Sequence, residues 1–403
     1  MSSEVIRRRT NGKSTSDVAP VIGIAALSPV DSVALRKDSI RVIRGYTPGG
    51  ESLWGYAGLV SDRTLDEVFP NGKSRSDSPS IYSTEHLQHI QEGDVLKLEF
   101  RKGYVQSLYR VNSPNNVIFV TDQCNSNCLM CSQPPKDIDD SESVREHLRL
   151  VGLIPRSTRE LGITGGEPTL LREGLFRILE ACREQLPDTR LHMLTNGRLF
   201  YYRSFAERLA RVNHPNLTLG IPLYSDLASV HDYVVQAKDA FDQTMVGLHN
   251  LARCRQHTEI RIVIHKETYQ RLPQLAEFIY RNCPFAEHVA LMGLELMGYT
   301  KRNLSLLWID PVDYQDQLEE AVTYLSWAGM HVSIYNHQLC VLRNSLWPYA
   351  RKSISDFKNI YLNECQQCSV LDQCGGLFKS AEQIHSSYIA PITANLLGAS
   401  AAP

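Results

Sequence analysis

Cys124, Cys128 and Cys131 fall within the stretch TDQCNSNCLMC, spaced C-x3-C-x2-C. Thiolates hold four-iron four-sulfur clusters, which need four ligands, so three cysteines leave one iron open to a small molecule. An open iron means chemistry, whereas full ligation means structure or electron transfer. Zinc is the competing metal, although it asks for four tetrahedral ligands and usually two C-x2-4-C pairs.

The elements around the triplet matter next. Val117 to Thr121 is a short apolar, β-branched run that reads as a buried strand, so the cysteines occupy the loop at its C-terminal end. In α/β barrels that end is where chemistry is assembled. A second strand-like run, Glu160 to Thr164, ends in Gly165-Gly166-Glu167-Pro168. The glycines admit close backbone approach, Glu167 offers an acceptor for an ammonium group, and Pro168 stops the strand. An ordinary turn is the plainer reading of those four residues alone.

Together, in this order, the two motifs resemble the radical S-adenosylmethionine (SAM) superfamily. The resemblance implies that Cys124, Cys128 and Cys131 hold a 4Fe-4S cluster whose open iron is chelated by the amine and carboxylate of SAM. Gly165 to Pro168 would contact the SAM amine, and reductive cleavage would give a 5′-deoxyadenosyl radical. Met130 stands where the family often has an aromatic residue; its polarizable side chain can still cover an adenine or cluster edge.

From Asn116 onward, six strand and helix pairs alternate. The strands are Val117 to Thr121, Glu160 to Thr164, Leu191 to Thr195, Leu217 to Leu223, Glu259 to Ile264 and Val289 to Leu294. Their helices fall near Ser141 to Leu153, Arg172 to Gln185, Arg203 to Val212, Lys238 to Gln256, Gln270 to Asn282 and Val312 to Ala328. Such alternation argues for parallel strands with crossover helices. The fold class expected is α/β: a partial (β/α)6 radical SAM barrel over 116–330, after a disordered tail (1–20) and a small β-rich domain (21–115), and before a cysteine-rich extension (331–403). In the β-rich part, Ser39 to Arg44 and Val95 to Arg101 read as strands, with turns at Pro48-Gly49-Gly50 and Pro70-Asn71-Gly72.

Ligands in such folds meet the carboxyl ends of strands. Asn196 is therefore a candidate SAM contact, against an ordinary Asn196-Gly197 turn; the resemblance to radical SAM proteins, which often set a polar residue after the fourth strand on the ribose, makes Ser225 the choice there. His265-Lys266-Glu267 could meet SAM's carboxylate or the substrate, or be a solvated loop. His192 and His265 read equally as satisfied interior histidines, and no acid–base residue is assigned.

A further group, Cys340, Cys365, Cys368 and Cys374, can close a metal site, with structural zinc an even competitor on spacing alone. Placed after the barrel, C-x2-C-x5-C resembles SPASM and twitch extensions, and the shorter twitch form with one auxiliary 4Fe-4S cluster fits four cysteines. Cys182, Cys254 and Cys283 lack ligand spacing and read as buried small hydrophobes. The wording ITGGEPTLL, LHMLTNGRLF, IPLYSDLASVHDYV and CGGLFKS is similar to the HxsC maturases of the His-Xaa-Ser repeat peptide system. That implies a precursor peptide substrate, a second HxsB-like radical SAM maturase and an external electron donor.

The chain has 403 residues, so more than one domain is expected. A net charge of −2 gives no global pull toward nucleic acid or anionic membrane, and no apolar run is long enough to span a bilayer. The basic, polar start lacks the apolar core of a secretory signal. Ten cysteines without such a signal point to metal ligation in a reducing compartment, the cytoplasm.

Overall fold

The structure, a computed structural model, describes residues 9–14, 16–45, 51–69, 78–352, 360–381 and 384–393. The turns expected at Pro48-Gly49-Gly50 and Pro70-Asn71-Gly72 lie outside these. Two compact units divide the chain: 1–120 with 139–162 and 173–189, and 121–138 with 163–172 and 190–403.

The first unit holds eight strands: β1 (Arg9–Asn11), β2 (Lys13–Ser14), β3 (Val21–Ala26), β4 (Ser39–Ile43), β5 (Gly58–Ser61), β6 (Ser80–Tyr82), β7 (Val95–Glu99) and β8 (Tyr104–Tyr109). Their order is β1-β8-β7-β3-β4-β5-β6-β2. β1 and β2 are two halves of one polar stretch, and each pairs antiparallel with a strand at the opposite end of the order, β8 and β6. This stretch covers both edges of the sheet, which would otherwise expose unpaired backbone groups. Gly12 sits at the crossover, where a Cβ would stand 2.7 Å from Ile81 Cγ2 and 2.8 Å from Tyr82 O. Within the stretch 1–20 expected to be a disordered tail, Arg9 to Asn11 and Lys13 to Ser14 are strand, because their partners are distant backbone groups that their polar side chains do not announce.

Ile40, Val60, Ile81, Leu96 and Leu98 fill the interior of this sheet. The helices Ser143–Leu153 and Glu173–Gln185 belong to the same unit. Arg149 on the first donates to Ile22 O at 3.3 Å and pairs with Asp38 at 2.7 Å, and Lys97 pairs with Glu146 at 2.5 Å.

Seven further strands form one sheet: β9 (Asn116–Phe119), β10 (Glu160–Thr164), β11 (Arg190–Leu194), β12 (Leu217–Pro222), β13 (His257–Ile264), β14 (His288–Gly293) and β15 (Val332–Tyr335), in the order β15-β14-β13-β12-β11-β10-β9. From β11 to β15 each neighbouring pair is parallel. The sheet has one strand more than the six expected, since β15 pairs beside β14 although it lies past the expected boundary at 330/331; Val332 to Ile334 are buried there. The fold is mixed α/β with a parallel sheet. Helices fall at Arg203–Val212, Ala240–Arg253, Leu272–Asn282 and Gln315–Trp327, near the expected positions. One more, Ala228–Val235, was not expected. No helix among the described residues is long and apolar enough to cross a membrane.

Candidate functional site

The loop that follows β9 is held from three directions. A helix leaves its last carbonyls without internal partners, and those of Val234 and Val235, ending the unexpected helix Ala228–Val235, accept the N–H groups of Leu129 (2.9 Å) and Asn127 (3.0 Å). From another side the stretch 299–303 grips the loop. Tyr299 N donates to Cys131 O at 2.8 Å, Thr300 Oγ1 to Met130 O at 3.2 Å, and Asn303 Nδ2 to Leu129 O at 2.8 Å. Gly298, at φ +55, lies so close that a Cβ would stand 2.2 Å from Cys131 O.

The third support is the Gly165-Gly166-Glu167-Pro168 turn. Gly166 N donates to Thr121 O and Glu167 N to Gln123 O, both at 2.7 Å. A Cβ on Gly165 would meet Thr121 O at 2.7 Å, and one on Gly166 would meet Gln123 O at 2.1 Å. These glycines bring backbone against the cysteine loop itself, a tighter requirement than approach to a ligand.

Glu167 is buried and its carboxylate is heavily used. Oε1 accepts from Thr169 N (3.0 Å), Thr169 Oγ1 (2.6 Å) and Thr195 Oγ1 (2.7 Å), and Oε2 from Asn196 N (2.6 Å). Burial raises its pKa against the pull of those donors. Two carboxylate oxygens have about four acceptor sites, so the spare capacity lies on Oε2. Pro168, also buried, opens a short 3-10 turn capped by the Glu167 side chain.

Asn196 is turned toward the same loop: its Nδ2 donates to Asn125 Oδ1 at 2.6 Å. Arg198, which sequence reasoning missed, donates to Asn125 O at 2.5 Å and Ser126 Oγ at 3.0 Å, and is fixed by Gln243 at 2.7 Å. Its charge favours the thiolates of Cys124 and Cys128.

The three thiols lie close enough to repel one another as anions. Burial, then Glu167, pushes Cys124 up to about 12; burial and the other two thiols push Cys128 higher still; burial raises Cys131. Half-buried, mutually repelling thiolates need a cation among them, and an iron-sulfur cluster fits that donor set. Met130 is buried among Tyr224, Val234, Val235, Ala240 and Leu307, an apolar anchor for the loop. Tyr224 is buried within the field of all three thiols and Arg261, and its pKa is raised, chiefly by burial. Ser225 is buried too. Its hydroxyl accepts from Leu227 N at 3.1 Å and donates to Asp226 Oδ1 at 3.3 Å, while Asp226 is clamped by Arg271 at 2.5 Å.

On β13, Glu259, Arg261, Val263 and, just past its end, His265 alternate on one face. Glu259 meets His192 (3.4 Å), Arg261 (2.5 Å) and His288 (2.8 Å); burial opposes its charge, but the neighbouring His192, the hydrogen bond with His288 and the field of Arg261 carry its pKa well down. His288 continues to Ser333 Oγ at 3.0 Å. Gly220 makes room, since a Cβ there would stand 2.9 Å from Arg261 Cδ and 3.1 Å from His192 Nε2. His265 is fully buried with neither ring nitrogen hydrogen-bonded, and burial lowers its pKa to about 4.

The other four thiols also gather. Cys340 lies in the field of Cys374 and Cys365, and Cys365 in that of Cys374 and Cys368; burial raises both Cys340 and Cys365. Cys365, Cys368 and Cys374 sit on or just after short 3-10 turns, with Cys368 N donating to Cys365 O at 3.0 Å and Tyr361 Oη to Cys374 O at 2.9 Å. Among the described residues no three His, Cys, Asp or Glu are arranged to hold a single metal ion; ligands of a multi-iron cluster stand further apart than those of one ion. All ten cysteines are free of disulfides. Cys182 and Cys283 are buried as expected, whereas Cys254 is half-buried.

Residues 118–279 match the family model described as the Radical SAM superfamily. The chain carries that domain, which supports an enzyme, and the family implies a 4Fe-4S cluster and SAM. A segment is 32% identical over 111 residues to the GTP 3′,8-cyclase of Petrotoga mobilis, covering 25% of this chain and 33% of that protein, so the chain spans about a third of that relative's length. Among solved structures, Streptococcus suis SuiB bound to S-adenosylmethionine is similar at 18% identity and TM-score 0.46, over 63% of this chain and 56% of SuiB. Native anSMEcpe with bound AdoMet is similar at 14% identity and TM-score 0.48, over 69% of this chain and 93% of that one.

Proposed function

We propose, from that domain, that this chain is a radical SAM maturase that modifies side chains of a ribosomally synthesised precursor peptide. When bound, the cluster and SAM would supply the 5′-deoxyadenosyl radical that takes a hydrogen atom from the substrate. Cys124, Cys128 and Cys131 would hold that cluster. Arg198 offsets thiolate charge and pins the loop at Asn125 and Ser126. Glu167 fixes the turn facing the loop and keeps acceptor capacity on Oε2 for an ammonium group. Gly165, Gly166, Pro168 and Asn196 set that surface, and Ser225 lies beyond the next strand.

The observation carrying the peptide reading is the second gathering of thiols, Cys340, Cys365, Cys368 and Cys374. By resemblance to twitch extensions, residues 331–403 would hold an auxiliary 4Fe-4S cluster. Such a cluster could accept the electron released when a substrate radical is oxidised. The similarity to HxsC maturases supports a precursor with His-Xaa-Ser repeats, an HxsB-like partner maturase and an external electron donor, in the cytoplasm. The test is anaerobic reconstitution with the partner and peptide: mass change in the peptide, dependent on SAM and reductant, is expected. An unmodified peptide despite SAM cleavage would refute the peptide reading.

The similarity to GTP 3′,8-cyclase over a quarter of the chain favours a second reading, a radical SAM enzyme acting on a small molecule. Turnover of GTP without any peptide would establish it.

A further inference from the structure

The segment after Ser386 crosses the second cysteine group and is fastened to it. Ser369 donates to Ile392 O twice, from N at 2.8 Å and from Oγ at 2.5 Å. The Ile392 side chain packs with Leu339, Val370 and Cys374. One backbone donor of this strap ends on sulfur: Ile392 N donates to Cys368 Sγ at 3.4 Å. Before it stands Pro391, which has no N–H to leave unsatisfied.

Resting on the auxiliary-cluster reading above, we propose that residues 390–392 form a potential-setting strap, whose Ile392 N–H holds the auxiliary cluster's reduction potential above the value its thiolates alone would give. The physical ground is charge. One-electron reduction adds a negative charge that spreads onto the cysteine sulfurs, and N–H dipoles aimed at sulfur stabilise the more negative state. Each donor lost disfavours reduction. The strap reaches Cys368, one of the four sulfurs, and its donor comes from a backbone fixed by Ser369, so its aim does not depend on a mobile side chain.

Ile392→Pro removes the N–H to Cys368 yet keeps the carbonyl that Ser369 holds. Ile392→Ala keeps the N–H and removes the packing. In redox titrations followed by electron paramagnetic resonance of the reconstituted full-length protein, Ile392→Pro should shift the auxiliary cluster to a more negative potential than Ile392→Ala, with the SAM-binding cluster unmoved. Equal potentials in the two variants would overturn the strap. Unsubstituted protein with about four irons per chain instead of about eight would instead overturn the auxiliary cluster itself, and the strap with it. Should Ile392→Pro fail to fold, amide exchange decides: exchange over 388–393 should slow when the unsubstituted protein is loaded with clusters, and equal exchange in loaded and cluster-free protein overturns the proposal.

Discussion

Glu167 Oε2 accepts the backbone N–H of Asn196 at 2.6 Å, while Asn196 Nδ2 reaches Asn125 Oδ1, also at 2.6 Å. One buried carboxylate thereby joins the turn after β10 to the turn after β11, and through Asn196 to the loop carrying Cys124 and Cys128.

Glu167→Gln should weaken this joint. Whichever way the amide points, its NH2 faces hydrogen-bond donors in place of an acceptor. The cost is about 1–3 kcal/mol, read as a lower denaturant midpoint. Weaker SAM binding should accompany it, and unchanged stability would show that the carboxylate is not structural.

Gly166→Ala places a methyl group 2.1 Å from Gln123 O, a backbone atom that cannot turn aside. The cysteine loop must move, so iron per chain after reconstitution should fall by about half if the first cluster is lost and the second retained. Gly152→Ala, where nothing lies within 4 Å of the added methyl, should leave it unchanged.

His231, His265 and His337 are buried, and burial lowers the pKa of each to about 4, from 6.5. Their folded-state values are depressed, so the unfolded chain takes up protons first, and stability falls as pH drops from 6.5 toward 4. Urea midpoints measured across that window should decline. His265→Leu should flatten the decline and leave stability at pH 7.5 equal or higher, because both ring nitrogens lack partners. Loss of substrate processing in that otherwise stable variant would identify His265 as a ligand contact.

Deleting residues 1–14 removes β1 and β2, exposing the edges of β8 and β6 together. A lower melting temperature and concentration-dependent association are expected, by light scattering and calorimetry.

Much of the parallel sheet was legible because buried β-branched runs and crossover helices alternate with their own periods; Glu160 to Thr164 was placed to the residue. What stayed hidden depends on distant partners. Arg9 to Ser14 carries no apolar alternation, yet it is strand through pairing with residues near 81 and 105. The grip of Val234 and Val235 on the cysteine loop needed the helix Ala228–Val235, visible only in the apolar spacing of Leu227, Val230, Val234 and Val235. Arg198 and Tyr224 reach the thiols through folding alone. The motif residues were legible as letters, but the use of Gly166 and Asn196 as supports for the loop was not.

The central claim is that Cys124, Cys128 and Cys131 form an open, SAM-cleaving cluster. The direct measurement is 5′-deoxyadenosine formed by the anaerobically reconstituted, reduced protein, with and without the partner and peptide. The account predicts formation that Cys124→Ala abolishes and Cys368→Ala leaves in place. No 5′-deoxyadenosine under any of these conditions, in a protein that has taken up its iron, would contradict it.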